Sequence, residues 1–314
     1  MPGDTIGIVA PCLPVLPSFR DKYEHGKHLL EHMGFRLKEG KTIRLQHGYA
    51  AGTPQEQADD IQAMFADSEV RAIIAAVGGH TAITVLDLID YDLIRANPKP
   101  FIGMSDVTSY HLALYARAGL VGFHMDEVSF GLGANWDNAE TSDYAIKQAY
   151  VDILTKTKAI GNLPHLTSWE TWRGGEAMGR LIGGNLNALC KLIGTPFLPS
   201  LEQFKGAILF WEQVGRPTHE TMQMLYQLKH AGILERISGM CVGTITKVPP
   251  HPDKDIAEPS LKQIVLDITE PYGTPIIASM DFGRHTPNIP MPIGLQAHLN
   301  AVEQQLTLTE SAVV

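Results

Sequence analysis

Short apolar runs alternate with segments of helical periodicity along the first half of the chain. The runs predict strands at Thr5–Ala10, Arg71–Val77, Pro100–Met104 and Val121–His124. The periodic segments predict helices at Phe19–Met33, Pro54–Phe65, Ser109–Arg117 and Asn138–Leu154. Apolar strands that alternate with helices are typical of crossover units, which build a parallel sheet covered on both faces.

The second half carries a similar mixture of elements. Its predicted strands are Ala177–Ile182, Ala207–Phe210, Gly239–Thr246, Pro275–Ser279 and Gln304–Leu308. Its predicted helices lie near Leu186–Leu192, Pro217–Ala231 and Pro259–Tyr272. Because 314 residues exceed what one hydrophobic core usually fills, we predict two domains.

The predicted fold class is α/β. Residues 1–155 form an N-terminal domain with a flavodoxin- or Rossmann-like parallel sheet. Residues 156–176 form a linker with an aromatic loop, and residues 177–314 form a smaller α/β domain with a barrel-like sheet. The first strand is not followed by a G-x-G-x-x-G pattern, so a nicotinamide cofactor is disfavoured.

Charge and cysteine content exclude several classes of function. The net charge of −9 argues against a nucleic-acid groove or an anionic-membrane patch, since both need clustered lysine and arginine. The three cysteines are far apart, which disfavours a disulfide framework and a paired-cysteine metal site. No signal-peptide pattern opens the chain and no apolar run is long enough to span a bilayer, so we predict a cytoplasmic protein.

Two predicted strands of the first half end in segments suited to chemistry. Ser105 follows Gly103-Met104 and precedes a helix, so its hydroxyl would stand on a strand-to-helix turn beside unpaired amide groups. Gly78-Gly79 follows the preceding strand and would let the backbone approach a ligand. The simpler alternatives are that Ser105 caps the helix and that the glycines only make a tight turn.

Two residues of the second half complete a possible catalytic triad. Glu212 follows an apolar strand, and His285 lies in a loop between Gly283 and Pro287. His285 would accept the proton of Ser105, and Glu212 would orient the imidazole. The amide groups of Gly79 and Asp106 would hold the oxyanion. Glu212 could also be a solvated group at the end of its strand.

Two rival classes of function are compatible with parts of the pattern. A non-enzymatic binding protein whose two lobes close on a small molecule would explain the domain layout. It would not explain why Ser105, Glu212 and His285 each follow a strand. A cysteine amidase would use Cys12 or Cys190, but no helix start is evident after Pro11 to lower the pKa of Cys12.

Five segments in order resemble the LD-carboxypeptidase family of serine peptidases, which includes muramoyltetrapeptide carboxypeptidase and the microcin C immunity peptidase. They are residues 2–11, the Gly78-Gly79 loop, residues 102–108, residues 179–186, and residues 210–212 taken with 285–294. The resemblance implies a serine nucleophile at Ser105, with Glu212 and His285 from the second domain. It also implies a site between domains, no metal, no cofactor, and a homodimer. The chain departs from the family at Cys12, where serine is common, and at Arg284, where glycine is common.

The substrate depends on the branch of the family. One branch cuts the bond to a terminal D-alanine in peptidoglycan recycling, and the other cuts an acyl-amide bond in an aminoacyl nucleotide. Trp169 and Trp172 fall where the second branch has a base-stacking aromatic loop, so the sequence favours a microcin C immunity-like reaction. Both tryptophans could instead pack between the domains. Asn185 and Arg284 are the other predicted substrate-binding residues.

Overall fold

The computed structural model describes residues 1–135, 142–283 and 288–313. Its strands are β1 (Thr5–Val9), β2 (Arg36–Glu39), β3 (Val70–Ala75), β4 (Phe101–Gly103), β5 (Gly122–His124), β6 (Gly161–Asn162), β7 (Glu170–Arg173), β8 (Glu176–Asn185), β9 (Ile208–Val214), β10 (Gly239–Thr246), β11 (Ile276–Met280), β12 (Met291–Ile293), β13 (Gln296–Asn300) and β14 (Gln305–Leu308). Its α-helices are α1 (Arg20–His32), α2 (Pro54–Ala66), α3 (Tyr91–Ala96), α4 (Val107–Ala118), α5 (Gly133–Asn135), α6 (Ser142–Thr155), α7 (Leu186–Lys191), α8 (Leu201–Phe204), α9 (Thr218–His230) and α10 (Leu261–Thr269).

The first sheet has six strands in the order β12-β5-β4-β3-β1-β2. The five strands from the first half pair in parallel, and β12 joins antiparallel to β5. All residues of β1, β4 and β5 are buried, which explains their continuous apolar character. The α/β prediction with a parallel sheet is therefore confirmed, and the carboxyl ends of β3 and β4 lie side by side.

The second sheet has eight strands in the order β6-β14-β13-β8-β9-β10-β11-β7. Strands β8 to β11 pair in parallel at its centre, and antiparallel strands flank them on both sides. The order is linear with β6 and β7 at the edges, so a barrel-like form is not confirmed.

The predicted division into domains stays a prediction, although the two sheets follow the two halves of the chain closely. The segment predicted as a linker contributes β6 and β7 to the second sheet. Strand β12 from the predicted second domain pairs with β5 of the first. The second half of the chain therefore contributes a strand to the first sheet, whereas within the described residues no strand of residues 1–155 joins the second sheet.

Helix α2 begins as its sequence predicts. The side chain of Thr53 accepts a hydrogen bond from the Glu56 amide, while the Glu56 carboxylate accepts one from the Thr53 amide at 2.7 Å. This capping box satisfies two amide groups that a helix start leaves unpaired, and Pro54 supplies the first helical position. None of the helices in the described ranges has the length and apolar character needed to cross a bilayer.

Candidate active site

Ser105 stands at a sharp turn between β4 and α4. Its φ angle is 62°, in the left-handed region that residues with a side chain rarely adopt. The residues on either side are buried, whereas Ser105 is half-buried. Helix α4 begins after Asp106 and has no side-chain cap, so Ser105 does not serve as one. A serine exposed on a strained strand-to-helix turn has the geometry of a nucleophile elbow.

The Gly78-Gly79 loop packs tightly against Ser105 on one side and against Cys12 on the other, which leaves little room for a side chain. A Cβ atom on Gly78 would lie 3.0 Å from the Cβ of Ser105, and one on Gly79 would lie 2.6 Å from the Cβ of Cys12. Within the described residues, no hydrogen bond uses the amide groups of Gly79 and Asp106. Two such amides beside a serine are the donors that an oxyanion hole requires.

The side chain of Asp106 braces the turn from behind. Its Oδ2 accepts a hydrogen bond of 2.8 Å from the amide of Ala82, and the carboxylate is buried. Its Oδ1 lies 3.7 Å from the Nζ of Lys191. The residue that follows Ser105 is thus fixed by groups from two other segments of the chain.

Glu212 is buried inside β9 rather than solvated at the end of a strand. Its side chain is nearly inaccessible, and its Oε1 accepts a hydrogen bond of 2.9 Å from Nδ2 of Asn185. The amide of Asn185 donates to Oγ1 of Thr108 at 2.9 Å, and its Oδ1 caps α7. Because Thr108 belongs to the helix that follows Ser105, Asn185 connects the acid to the serine turn.

His285 and Arg284 lie outside the described residues, but both ends of their loop are described. The amide of Gly283 donates to Oδ1 of Asn288 at 3.1 Å, which closes the loop across its ends. Nδ2 of Asn288 donates to Oδ1 of Asp126 at 2.8 Å. A Cβ atom on Gly283 would lie 3.2 Å from the Cβ of Glu212. The loop therefore starts against the candidate acid.

A cavity of about 180 Å³ opens beside Ser105. It is lined by Leu13, Val77, Gly78, Gly79, His80, Ser105, Asp106, Phe130, Asn185, Asn187, Lys191, Gln213, Val214 and Arg216. Two cations, Lys191 and Arg216, face one carboxylate, Asp106, in a protein whose net charge is −9. The sequence analysis missed both cations. The sequence feature that could have pointed to them is their position a few residues after Asn185 and Glu212, which the sequence analysis had already selected as site residues.

Models of the LD-carboxypeptidase N-terminal domain and C-terminal domain match residues 6–125 and 178–299. The chain belongs to the LD-carboxypeptidase family. It is therefore a serine peptidase of the carboxypeptidase type, as the sequence resemblance implied. This membership argues against a non-enzymatic two-lobed binding protein.

Relatives of different specificity match nearly the whole chain. It is 34% identical to a probable murein peptide carboxypeptidase of Bacillus subtilis, over 96% of this chain and 90% of that protein. It is 26% identical to the microcin C7 self-immunity protein MccF of Escherichia coli, over 98% and 94%. The solved structure of MccF in complex with glutamyl sulfamoyl guanosine has a TM-score of 0.88 at 22% identity, covering 100% of this chain and 98% of that one. That last likeness establishes the two-part fold.

The two tryptophans of this LD-carboxypeptidase occupy different surroundings. Trp169 is buried, donates from its indole to Oδ2 of Asp281 at 2.7 Å, and stacks on His165 with 4.3 Å between ring centres. Trp172 is half-buried, and its indole donates to Oε2 of Glu170 at 3.0 Å. Within the described residues, neither tryptophan lines the cavity beside Ser105.

The cysteines of this LD-carboxypeptidase are unsuited to nucleophilic attack. All three are buried. Burial, followed by the nearby charge of Asp106, raises the pKa of Cys12 well above its usual value, and burial raises the pKa of Cys190 to about 12. A thiol that stays protonated is a poor nucleophile, so the rival cysteine mechanism is disfavoured.

No group of three potential metal-binding side chains converges in residues 1–135, 142–283 and 288–313.

Proposed function

We propose that Ser105, Glu212 and His285 form the catalytic triad of this peptidase. The observation that carries the proposal is the turn at Ser105, where a half-buried serine with a left-handed backbone opens into the cavity. The buried position of Glu212 and the start of the His285 loop against it support the assignment of the acid.

The reaction is acyl transfer in two steps. The imidazole of His285 takes the proton of the Ser105 hydroxyl as the oxygen attacks the amide carbonyl. The amides of Gly79 and Asp106 stabilise the oxyanion, and His285 gives the proton to the leaving amine. Water then attacks the acyl ester with the same base, which releases the acid and regenerates Ser105. Glu212 holds the imidazole tautomer and stabilises the imidazolium.

The substrate that we propose first is a peptide with a free carboxyl end, such as an L,D-tetrapeptide ending in D-alanine. The relative with 34% identity is named a probable murein peptide carboxypeptidase, which supports this choice. The cavity also supports it, since it is small and carries two cations that suit a carboxylate.

The second candidate is an acyl-amide bond in an aminoacyl nucleotide, as the sequence analysis favoured. Its supports are the similarity to MccF over nearly the whole chain and the half-buried ring of Trp172. The hydrogen bond of Trp169 to Asp281 gives that ring a structural role, so Trp172 is the better candidate for stacking on a base.

The deciding experiment assays purified protein with both substrates in parallel, next to Ser105→Ala. One substrate is the L,D-tetrapeptide ending in D-alanine, and the other is aspartyl sulfamoyl-adenosine. We expect release of D-alanine and a loss on the order of 10⁴-fold or more in the Ser105→Ala protein. Cleavage of the adenylate alone would favour the second candidate, and full activity of Ser105→Ala would contradict the triad.

The proposed function also implies where the enzyme works and how it assembles. We propose that the enzyme acts in the cytoplasm, where peptides recovered from the cell wall or imported toxic nucleotides would reach it. We also propose a homodimer, as the family resemblance implies. Light scattering on the eluting protein would measure its mass in solution, and a monomer at micromolar concentration would contradict the dimer.

A further inference from the structure

Lys191 faces a buried carboxylate, but within the described residues its hydrogen-bond donors are unused. Its Nζ lies 3.7 Å from Oδ1 of Asp106, which is too far for a hydrogen bond. No protein acceptor within the described residues takes a hydrogen bond from it. Arg216, on the same cavity, donates to Glu220 at 3.0 Å. An ammonium group has three donors, so those of Lys191 remain available to a ligand.

Helix α7 directs Lys191 towards the cavity. Four of its six residues are buried, and the two that are half-buried are Asn187 and Lys191. Residues four apart lie on the same face of a helix. Both of these polar side chains line the cavity that contains Ser105. The fold therefore presents one polar face of a short helix to the candidate nucleophile.

The position of Lys191 relative to the scissile bond follows from its contact with Asp106. Asp106 directly follows Ser105, and its amide is a proposed donor to the oxyanion. An anionic group bound by Lys191 would thus lie next to the reacting carbonyl rather than at a distant part of the substrate. The carboxylate of the residue that leaves is the anionic group closest to that bond in a peptide with a free end.

We propose that Lys191 determines specificity by binding the carboxylate of the leaving amino acid. The proposal rests on the proposed function, and it names the group that makes the enzyme act at a free carboxyl end. A charge-assisted hydrogen bond of this kind discriminates against a neutral amide because the amide leaves the ammonium without its counter-charge.

The test compares the tetrapeptide ending in D-alanine with the same peptide ending in D-alaninamide. In the wild type, kcat/KM should favour the acid. Lys191→Met should lower the acid-to-amide ratio of kcat/KM on the order of 10- to 100-fold, mostly through KM. Lys191→Arg keeps the charge and should retain most of the preference. Lys205→Met removes an exposed lysine beside another carboxylate and should leave the ratio unchanged.

The acid-to-amide ratio of kcat/KM distinguishes a role of Lys191 in substrate binding from a purely structural role. If Lys191 only balanced the charge of Asp106, Lys191→Met would lower the melting temperature and slow both substrates equally, and that result would overturn the proposal. Calorimetry of both peptides with Ser105→Ala protein, with and without Lys191→Met, measures the same preference without turnover. Equal affinities for acid and amide would overturn the role of Lys191. A wild type that binds the acid selectively but cleaves neither peptide would overturn the proposed function alone.

Discussion

Asn185 connects Glu212 to helices α4 and α7 through three hydrogen bonds. Its Nδ2 donates to Glu212, its amide donates to Thr108, and its Oδ1 accepts from the amide of Ala188. Aspartate has nearly the same shape and can still cap α7. It lacks the donor, however, and would place a second carboxylate within hydrogen-bond distance of Glu212 in a buried site.

We expect Asn185→Asp to lower the free energy of unfolding, and we expect this loss to increase as the pH rises. Two adjacent buried carboxylates repel each other when both are ionised. One of them would therefore hold a proton in the folded protein with a pKa above the value of about 4 that a carboxyl group has in the unfolded chain. The protein would thus lose stability as the pH rises above about 4, and the loss near pH 8 would be about 3 kcal/mol. Urea unfolding at pH 5 and pH 8 measures this dependence.

The matched control for this prediction is Asn185→Ala. It removes the same hydrogen bond and the cap without adding a charge, so its loss should be similar at both pH values. Equal pH dependence in the two variants would contradict the proposed pairing between the side chains of residues 185 and 212. Both variants should also lower kcat, because Glu212 loses a donor that helps to fix its side chain.

Among the secondary-structure elements, the buried strands were the most predictable from sequence. The predicted bounds of β10 are those observed, and β1 and β3 differ by one or two residues. Strand β2 (Arg36–Glu39) was missed because it lies at the edge of its sheet, where three of its four residues are polar and none is fully buried. Strand β9 runs beyond Phe210 because Gln213 and Val214 pair with β10, which is why Glu212 lies inside a strand.

The connection between β11 and β12 carries the proposed base, and Asn288 holds its ends together. Asn288 is buried and bonds to Gly283 on one side and to Asp126 on the other. We expect Asn288→Ala to lower kcat at least tenfold with a smaller change in KM, because the loop ends separate while the cavity residues stay in place. The free energy of unfolding should fall by about 2 kcal/mol, since two buried partners lose a hydrogen bond.

Steady-state kinetics together with urea unfolding test this expectation. Asn300→Ala is the control, because it also removes an asparagine whose Nδ2 donates to a carboxylate, here on the exposed surface at 3.1 Å from Glu176. It also removes the bonds that Oδ1 of Asn300 accepts from the amides of Val302 and Glu303, so it should lower the free energy of unfolding by about 1 kcal/mol and leave kcat unaltered. An Asn288→Ala enzyme with wild-type kcat would show that the loop ends do not govern the position of the base.

At the scale of the whole molecule, the candidate active site forms where distant parts of the chain converge. The strand-end motifs identified Ser105 and Gly79 because the carboxyl ends of parallel strands bind ligands in most α/β proteins. Lys191 and Arg216 could not be found in this way. Their place on the cavity depends on how α7 and the end of β9 pack against the first sheet, and no local pattern encodes that packing.

The same packing buries two histidines in a neutral form. His124 on β5 contacts Phe210 of β9 with 5.9 Å between ring centres, and neither of its ring nitrogens has a hydrogen-bond partner within the described residues. His111 on α4 bonds through Nε2 to the carbonyl of Phe101. Burial lowers the pKa of His124 to about 4, and burial with the neighbouring His124 lowers the pKa of His111 to about 3.

These lowered pKa values predict that the protein loses stability as the pH falls from about 6.5 towards 4. Below about pH 6.5 the unfolded chain binds protons at both histidines that the native protein does not, until the pH approaches 4. Each histidine should therefore contribute roughly 1.4 kcal/mol of lost stability per pH unit around pH 5. Urea unfolding of the wild type and of His124→Phe at pH 7, 6 and 5 measures this slope. The His124→Phe protein should show about half of the wild-type slope of unfolding free energy against pH. The control His28→Gln changes an exposed histidine and should show the full slope. A wild-type slope in His124→Phe would mean that His124 is protonated in the folded protein, and the interface between the two sheets would then have to accommodate a buried charge.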